Sequence, residues 1–476
     1  MTAFLILVSV LVPLALGFLF LCLLWPDSAS VFADFLFKCC LSVGFGFGIS
    51  SGMVFVWLLL AGHLTPGFFV CQWLALAGLS ALALYRRKQH VSTAPVEPRH
   101  PSSGGNAPRL IRFAFAAALL CAAAYFLFLL RLAPNGKYDA IAHWNLEARF
   151  LYPGGDGLRQ FSYMTWEHAD YPLLIPASIA ASWAFIGTQT TIVPSVIALL
   201  FTFSLIGLVP ISIARLRGER QGLLAGLCLL GTPFLIKHGS SQYADVPLAF
   251  FFVATFALLF RRNESPSHRG FLLLSGAAAG LAAWTKNEGI LFVTLLVPLH
   301  FFFTMAWKGK MNGVRETFGL LIGLAPILVI VVVHKIYMGQ PNDLVAGQNL
   351  PDTTHRLLDF SRYALVTKEM ALGIFSFGTW NRFLPLPALL LVYGFLAGIG
   401  LTDKKNVPAM VMGALLILFM LAAYFSIYIL TPKDLVWHLE TSLNRLLLQL
   451  WPLFILIYFA FVRPPPQAGA VKNASV

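Results

Sequence analysis

Apolar runs of about 20 residues follow one another along almost the whole of this 476-residue chain. A run of that length is what a helix needs to cross the hydrocarbon layer of a bilayer. Inside lipid every backbone N–H and C=O must be satisfied within the protein, which leaves helices as the element such runs can form. The expected fold class is therefore an all-α polytopic membrane protein. Composition agrees: 58% of residues are hydrophobic and 11% charged, against about 45–50% and about 25% in a soluble domain. A soluble enzyme, a disordered chain and a secreted disulfide scaffold are excluded.

Thirteen spans are predicted, at 3–25, 35–60, 66–85, 111–131, 189–214, 221–236, 245–260, 270–285, 289–307, 316–335, 385–401, 408–430 and 446–462. The first run is too long for a signal-peptide core and no basic residue precedes Lys38, so it reads as a retained helix. The net charge of +13 does not point to nucleic acid, because Lys and Arg sit in short clusters between apolar runs. These are Arg86/Arg87/Lys88 with Arg99, Arg109 and Arg112, then Arg215/Arg217/Arg220, Arg261/Arg262/Arg269, Lys308/Lys310/Arg315 and Lys404/Lys405. Thirteen spans put them all on one side, which the positive-inside rule makes cytoplasmic. The N-terminus then lies outside and the C-terminus in the cytoplasm. The cysteines lie in or beside apolar runs without metal-ligand spacing and read as small core residues.

The expected organisation is an N-terminal three-helix membrane unit (1–85), a basic, Pro/Ser/Gly-rich cytoplasmic linker (86–110) and a membrane core (111–335) with an outer loop at 132–188. A second outer segment (336–384), C-terminal helices (385–462) and a cytoplasmic tail (463–476) follow. In the first outer loop, segment 139–151 is predicted as an amphipathic juxtamembrane helix. It places Asp139, His143 and Glu147 along one slowly turning face, with Leu146, Phe150 and Leu151 toward lipid.

The outer side gathers a set of polar side chains. Asp139 follows the fourth span. His168 and Asp170 lie in WEHADYPLLIP, Lys237, His238 and Asp245 in KHGSSQYADVP, and Lys286 and Glu288 in AWTKNEG. Lys433, Asp434, His438, Glu440 and Arg445 lie in PKDLVWHLETSLNRLLLQLWP. Charges repeated at tight turns between spans point to a site rather than to simple solvation. Trp144, Trp166, Trp284, Trp380 and Trp437 are expected in the aromatic belt at the outer boundary, with sugar stacking as the sharper alternative.

This pattern resembles the C-type, membrane-embedded glycosyltransferases that use lipid-linked sugar donors, such as protein O-mannosyltransferases and the transferase that adds aminoarabinose to lipid A. The resemblance rests on Asp139 in KYDAIAHWNLEARF, the loop ending in HADYPLLIP, the acidic helix start in QYADVPLAFFF, the turn in GLAAWTKNEG, and Arg445 in NRLLLQLWP. It covers 111–310 well and 311–462 loosely, and excludes 1–85. It implies an inverting transfer of a sugar from a polyprenyl phosphate to a glycolipid, polysaccharide or protein acceptor. The setting it implies is the periplasmic face of a bacterial inner membrane. Asp139 and Asp245 would be catalytic. Lys286, Arg445, Lys237, His168, Asp170, His238, Glu288 and His438 would bind substrate. Many relatives carry two adjacent acidic residues where Ala140 follows Asp139 here, so Glu147, Asp170 or Asp245 would share the work. No cofactor is required by the pattern; a divalent metal, where used, would fall to Asp139, Asp245 and His168. Two other readings share these charges: a transporter or flippase for a lipid-linked sugar, and a noncatalytic partner in envelope polysaccharide assembly.

Overall fold

The computed structural model describes residues 1–25, 31–90, 107–152, 170–265, 269–338, 342, 348–377, 385–401 and 404–464. Helices α1 (Thr2–Leu24), α2 (Val31–Ala61), α3 (Pro66–His90) and α4 (Arg109–Leu132) come first. A π-turn (Ala140–Trp144) then leads into α5 (Asn145–Leu151). The core continues with α6 (Leu174–Ile186), α7 (Ile192–Arg217), α8 (Glu219–Leu230), α9 (Pro233–Ser240), α10 (Asp245–Glu264), α11 (Gly270–Thr285), α12 (Asn287–Lys308) and α13 (Lys310–Met338). The last are α14 (Leu350–Leu358), α15 (Phe360–Ser376), α16 (Leu386–Ala397), α17 (Val407–Leu430) and α18 (Leu435–Phe461).

Nine helices among the described residues are long and apolar enough to cross a membrane, or ten if α8 and α9 count as one span. The chain is thus an all-α polytopic integral membrane protein with nine or ten long apolar helices among its described residues, where thirteen spans are expected from the sequence. Four expected spans, 221–236, 245–260, 270–285 and 385–401, are not among the nine, and local causes account for three of them. The run at 221–236 is bent by 63° between α8 and α9, where Pro233 opens the new helix and has no N–H to continue the old one. The runs at 270–285 and 385–401 give helices of 16 and 12 residues. At 1.5 Å per residue these are about 24 and 18 Å long, short of a hydrocarbon layer of about 30 Å.

The centre of the bundle is α10. Its apolar residues run all round the helix, which is the signature of a helix buried on every side, and every residue from Asp245 to Arg262 is buried. It packs on α7, α11 and α18. In the N-terminal region α1 lies close against α2: a Cβ on Gly46 would stand 2.2 Å from the Pro13 carbonyl oxygen. α2 in turn packs on α6 and α7. The described part of 336–384 is helical. Asn349 and Asp359 cap α14 and α15 with their side chains, and the Arg362 guanidinium donates to the carbonyls of Tyr428, Ile429 and Thr431 at the end of α17. Residues 91–106 of the linker and 465–476 of the tail lie outside the described residues.

The basic clusters meet at one end of the bundle. Asp34 pairs with Arg215 at 2.5 Å and Arg261 at 3.3 Å, and Arg261 also pairs with Glu264 at 2.6 Å. Glu316 pairs with Arg262 at 3.1 Å and Lys308 at 2.8 Å. The polar groups that open α10 and close α11 belong to the other end.

Candidate functional site

Four stretches build the site: the segment after α4, the turn between α9 and α10, the turn between α11 and α12, and the first turns of α18. The first two are fastened together. Lys137 N–H donates to the Ser241 carbonyl at 3.2 Å. Asn145 donates to Asn135 O and to Gln242 Oε1, and the Gln242 amide donates to Pro134 O and Ser195 Oγ. Gly136 has φ 78°, and a Cβ there would lie 2.7 Å from Ser241 O, so this approach requires glycine. Gln242 itself holds φ 62°, a left-handed conformation uncommon for a residue with a side chain. The bonds its amide makes fix the turn that delivers Asp245.

Asp245 is the hub. It is fully buried, as an ionised carboxylate can be only when charge and hydrogen bonds compensate it. Lys286 Nζ lies 3.0 Å from its Oδ1, and Arg445 Nε lies 3.1 Å from its Oδ2. The Gln449 amide donates to Oδ1 at 2.7 Å, and His238 Nε2 stands 3.4 Å from Oδ2. Lys286 also pairs with Glu288 at 2.8 Å, and Gln449 donates to the same Glu288 oxygen at 3.2 Å. Burial alone would lower the Lys286 pKa, but Asp245 and Glu288 beside it outweigh this and hold the ammonium above its ordinary value. It is therefore a fixed cation.

Arg445 links the hub to Asp139. Its NH2 group lies 2.6 Å from Asp139 Oδ2, and these two side chains are 20% and 15% exposed, where that of Asp245 is 0%. The guanidinium carbon sits 4.9 Å from the Tyr243 ring centre, and the Asp139 backbone N–H donates to the Tyr243 hydroxyl at 3.3 Å. Lys286 Nζ stands 5.6 Å from the Tyr171 ring centre, and Tyr171 stacks on Trp144. The arrangement is two fixed cations converging on a buried carboxylate, with a second carboxylate at the rim.

A second group adjoins through Asn287, the neighbour of Lys286 and Glu288. Asp170 is buried and its Oδ2 accepts from Asn287 at 2.8 Å, Lys335 at 3.1 Å and Asn342 at 3.2 Å. Lys335 also donates to Asn287 Oδ1. Glu147 lies buried nearby. Its desolvation, and next the charge of Asp170, raise its carboxyl pKa well above the usual 4.5. His143 and Glu147 do share a face, as the sequence pattern predicts, but that face turns into the protein along with Leu151, while Ile141 and Arg149 are exposed.

The structure thus brings together Asp139, Asp245, Lys286, Glu288, Arg445 and His238, with Asp170 alongside. Lys237 is exposed on α9 and takes no part in the cluster's ion pairs among the described residues. His438 stands two turns before Arg445 on α18 and its Nδ1 pairs with the Thr431 hydroxyl. His168 lies outside the described residues, as do Trp166 and Trp380. Trp144 and Trp284 are not belt residues: both are fully buried, Trp284 donating to Ser51 Oγ. Trp437 is half exposed. Gln449, Tyr243, Tyr171, Asn287 and Lys335 join the site without having been singled out from sequence. Among the described residues no three His, Cys, Asp or Glu side chains are grouped to hold a metal ion.

Below Arg445 the same helix becomes one wall of an apolar cavity of about 880 Å³. Leu447, Leu450, Trp451 and Phe454 line it from α18, facing Leu390 of α16 and Phe377.

Fold and site together define an integral membrane protein with a cation-bearing, carboxylate-lined centre at one end of its helix bundle. Residues 170–337 match the family model described as dolichyl-phosphate-mannose-protein mannosyltransferase. That segment includes Asp170, Lys237, Asp245, Lys286 and Lys335. Among solved structures, the chain is similar to ArnT from Cupriavidus metallidurans in the apo state, at 15% identity and a TM-score of 0.41, over 73% of this chain. The chain spans 59% of the length of that structure. No curated protein matches the chain.

Proposed function

We propose that this protein is an inverting glycosyltransferase that moves a sugar from a polyprenyl-phosphate donor to an acceptor hydroxyl. The site lies at the membrane surface opposite the basic clusters, which makes it periplasmic in a bacterial inner membrane. The observation that carries the reading is the convergence of Lys286 and Arg445 on buried Asp245, with Asp139 at the rim on the same guanidinium. The match of residues 170–337 to the dolichyl-phosphate-mannose-protein mannosyltransferase family supports a lipid-phosphate donor.

Each group has a task. Lys286 and Arg445 bind the donor phosphate and stabilise the charge it gains on leaving. Asp245, Gln449 and Glu288 hold those cations in place, so Asp245 acts through them as a positioning residue. Asp139 takes the proton of the acceptor hydroxyl. The acceptor oxygen attacks the anomeric carbon from the face opposite the phosphate. A new C–O bond forms as the sugar–phosphate C–O bond breaks, and the bonding pair leaves with polyprenyl phosphate. The donor's hydrocarbon tail lies in the cavity beneath Arg445, which puts its headgroup at the cations.

The test is sugar transfer from a panel of radiolabelled polyprenyl-phosphate sugars to membrane acceptors, with wild type beside Asp139→Asn at matched expression. Transfer by wild type that collapses in the variant supports the reading. Undiminished transfer by Asp139→Asn removes Asp139 as base. Folded wild-type protein that binds a donor yet transfers from none overturns the enzyme reading in favour of a transporter.

A further inference from the structure

The ion pair between Asp139 and Arg445 ties the base to one of the phosphate ligands. We infer that this pair is a latch: an arriving lipid phosphate takes the Asp139 position on Arg445, and only then is the Asp139 carboxylate free to accept a proton. The inference rests on the phosphate-binding reading of the same site and adds an order to it, with donor binding before acceptor activation.

Three observations carry it. The first is the asymmetry of the two carboxylates on Arg445. Asp245 is fully buried and also held by Lys286 and Gln449. Asp139 is at the rim, and its side chain is bonded to Arg445 NH2 alone among the described residues. The second is the anchoring of the arginine. Its Nε stays on Asp245 and its face on the Tyr243 ring whether or not NH2 changes partner. NH2 is thus the exchangeable position, and because the Asp139 backbone is fixed by Tyr243, release needs only a side-chain rotation.

The third is charge. The connected cluster holds three carboxylates (Asp139, Asp245, Glu288) and two fixed cations (Lys286, Arg445). It is already negative by one, and a phosphate added on top would be repelled. Exchange of Asp139 for a singly charged phosphodiester on Arg445 leaves the net charge of the cluster where it was and moves the displaced carboxylate toward water and acceptor.

The latch predicts that removing the base improves donor binding. The experiment is equilibrium binding of farnesyl phosphate to the full-length protein in detergent micelles, for wild type, Asp139→Asn, Asp139→Ala and Arg445→Gln. Elution volume and melting temperature establish that each variant is folded. Both Asp139 variants are expected to bind roughly 2- to 5-fold more tightly than wild type, the worth of one partly exposed ion pair, and Arg445→Gln to bind far more weakly. Equal or weaker binding by both Asp139 variants, with wild type binding normally, overturns the latch and leaves the transferase reading intact. Absence of binding by folded wild type at millimolar ligand overturns the phosphate site itself, and the latch with it.

Discussion

The two charged ends of the bundle are built from the same ingredients and come out differently. At the basic end, Asp34, Glu264 and Glu316 face Arg215, Arg261, Arg262 and Lys308. At the other end, Asp139, Asp245 and Glu288 face Lys286 and Arg445. The first end is rich in cations, and its pairs close loops between helix ends. The second has one carboxylate to spare, and that carboxylate sits at the rim. An ion pair that staples helices needs only to persist. A site that receives an anion must keep its cations fixed while one of their partners can leave.

Substitutions at each end test that distinction. The largest effect is expected from Asp139→Asn. Transfer should fall by about 10²–10⁴-fold, the usual contribution of a general base, with melting temperature almost unchanged. Next comes Lys286→Met, which strips a cation from buried Asp245 and should cost about 3–5 kcal/mol in denaturant unfolding as well as farnesyl phosphate binding. Asp34→Asn makes a comparable break at the basic end, since it leaves Arg215 and Arg261 short of a carboxylate; a loss of about 3 kcal/mol is expected. Transfer per folded molecule and phosphate binding should not move. A fall in either would mean that the two ends communicate, and the contrast between staple and site would fail.

The smallest effect concerns Glu147. Its folded pKa is raised by burial and then by Asp170. The folded chain therefore keeps a proton that the unfolded chain gives up above about pH 4.5. Its contribution to stability is greatest below that pH and falls as pH rises toward the folded value, by at most about 1.4 kcal/mol per pH unit. Glu147→Gln removes this penalty. The variant should melt higher than wild type at pH 8, with the difference shrinking toward pH 4.5. His143 is the titratable neighbour on the preceding turn, and α6, which packs on the Glu147 helix, carries none.

How much of this was legible beforehand differs by residue type. Asp139, Asp245, Lys286, Glu288 and Arg445 stand out because a charge beside an apolar run is conspicuous, and they do converge. Gln449 and Asn287 do not stand out: a neutral amide gives no signal until its partner is known. Lys335 closes a long apolar run and reads as a snorkelling end residue, whereas its ammonium reaches Asp170 from a helix 165 positions away. Trp144 and Trp284 look like belt residues because composition locates them only near the boundary; whether an aromatic ring there faces lipid or protein depends on the neighbouring helix. The membrane class is plain from run length, but the number of spans is not. A 63° bend between α8 and α9 and helices that stop after 12 or 16 residues leave no mark on hydropathy.

The fastening of the segment after α4 to the Ser241–Gln242 turn has a consequence for tolerance. Asp139 and Asp245 come from parts of the chain more than 100 residues apart, yet both are referred to the same small scaffold through Lys137, Asn145 and Gln242. If α4 slides or tilts as the surrounding bilayer thickens or thins, the displacement reaches both carboxylates together. It is a common-mode error, and it cancels in the separation between base and phosphate ligands, which is the quantity the chemistry reads.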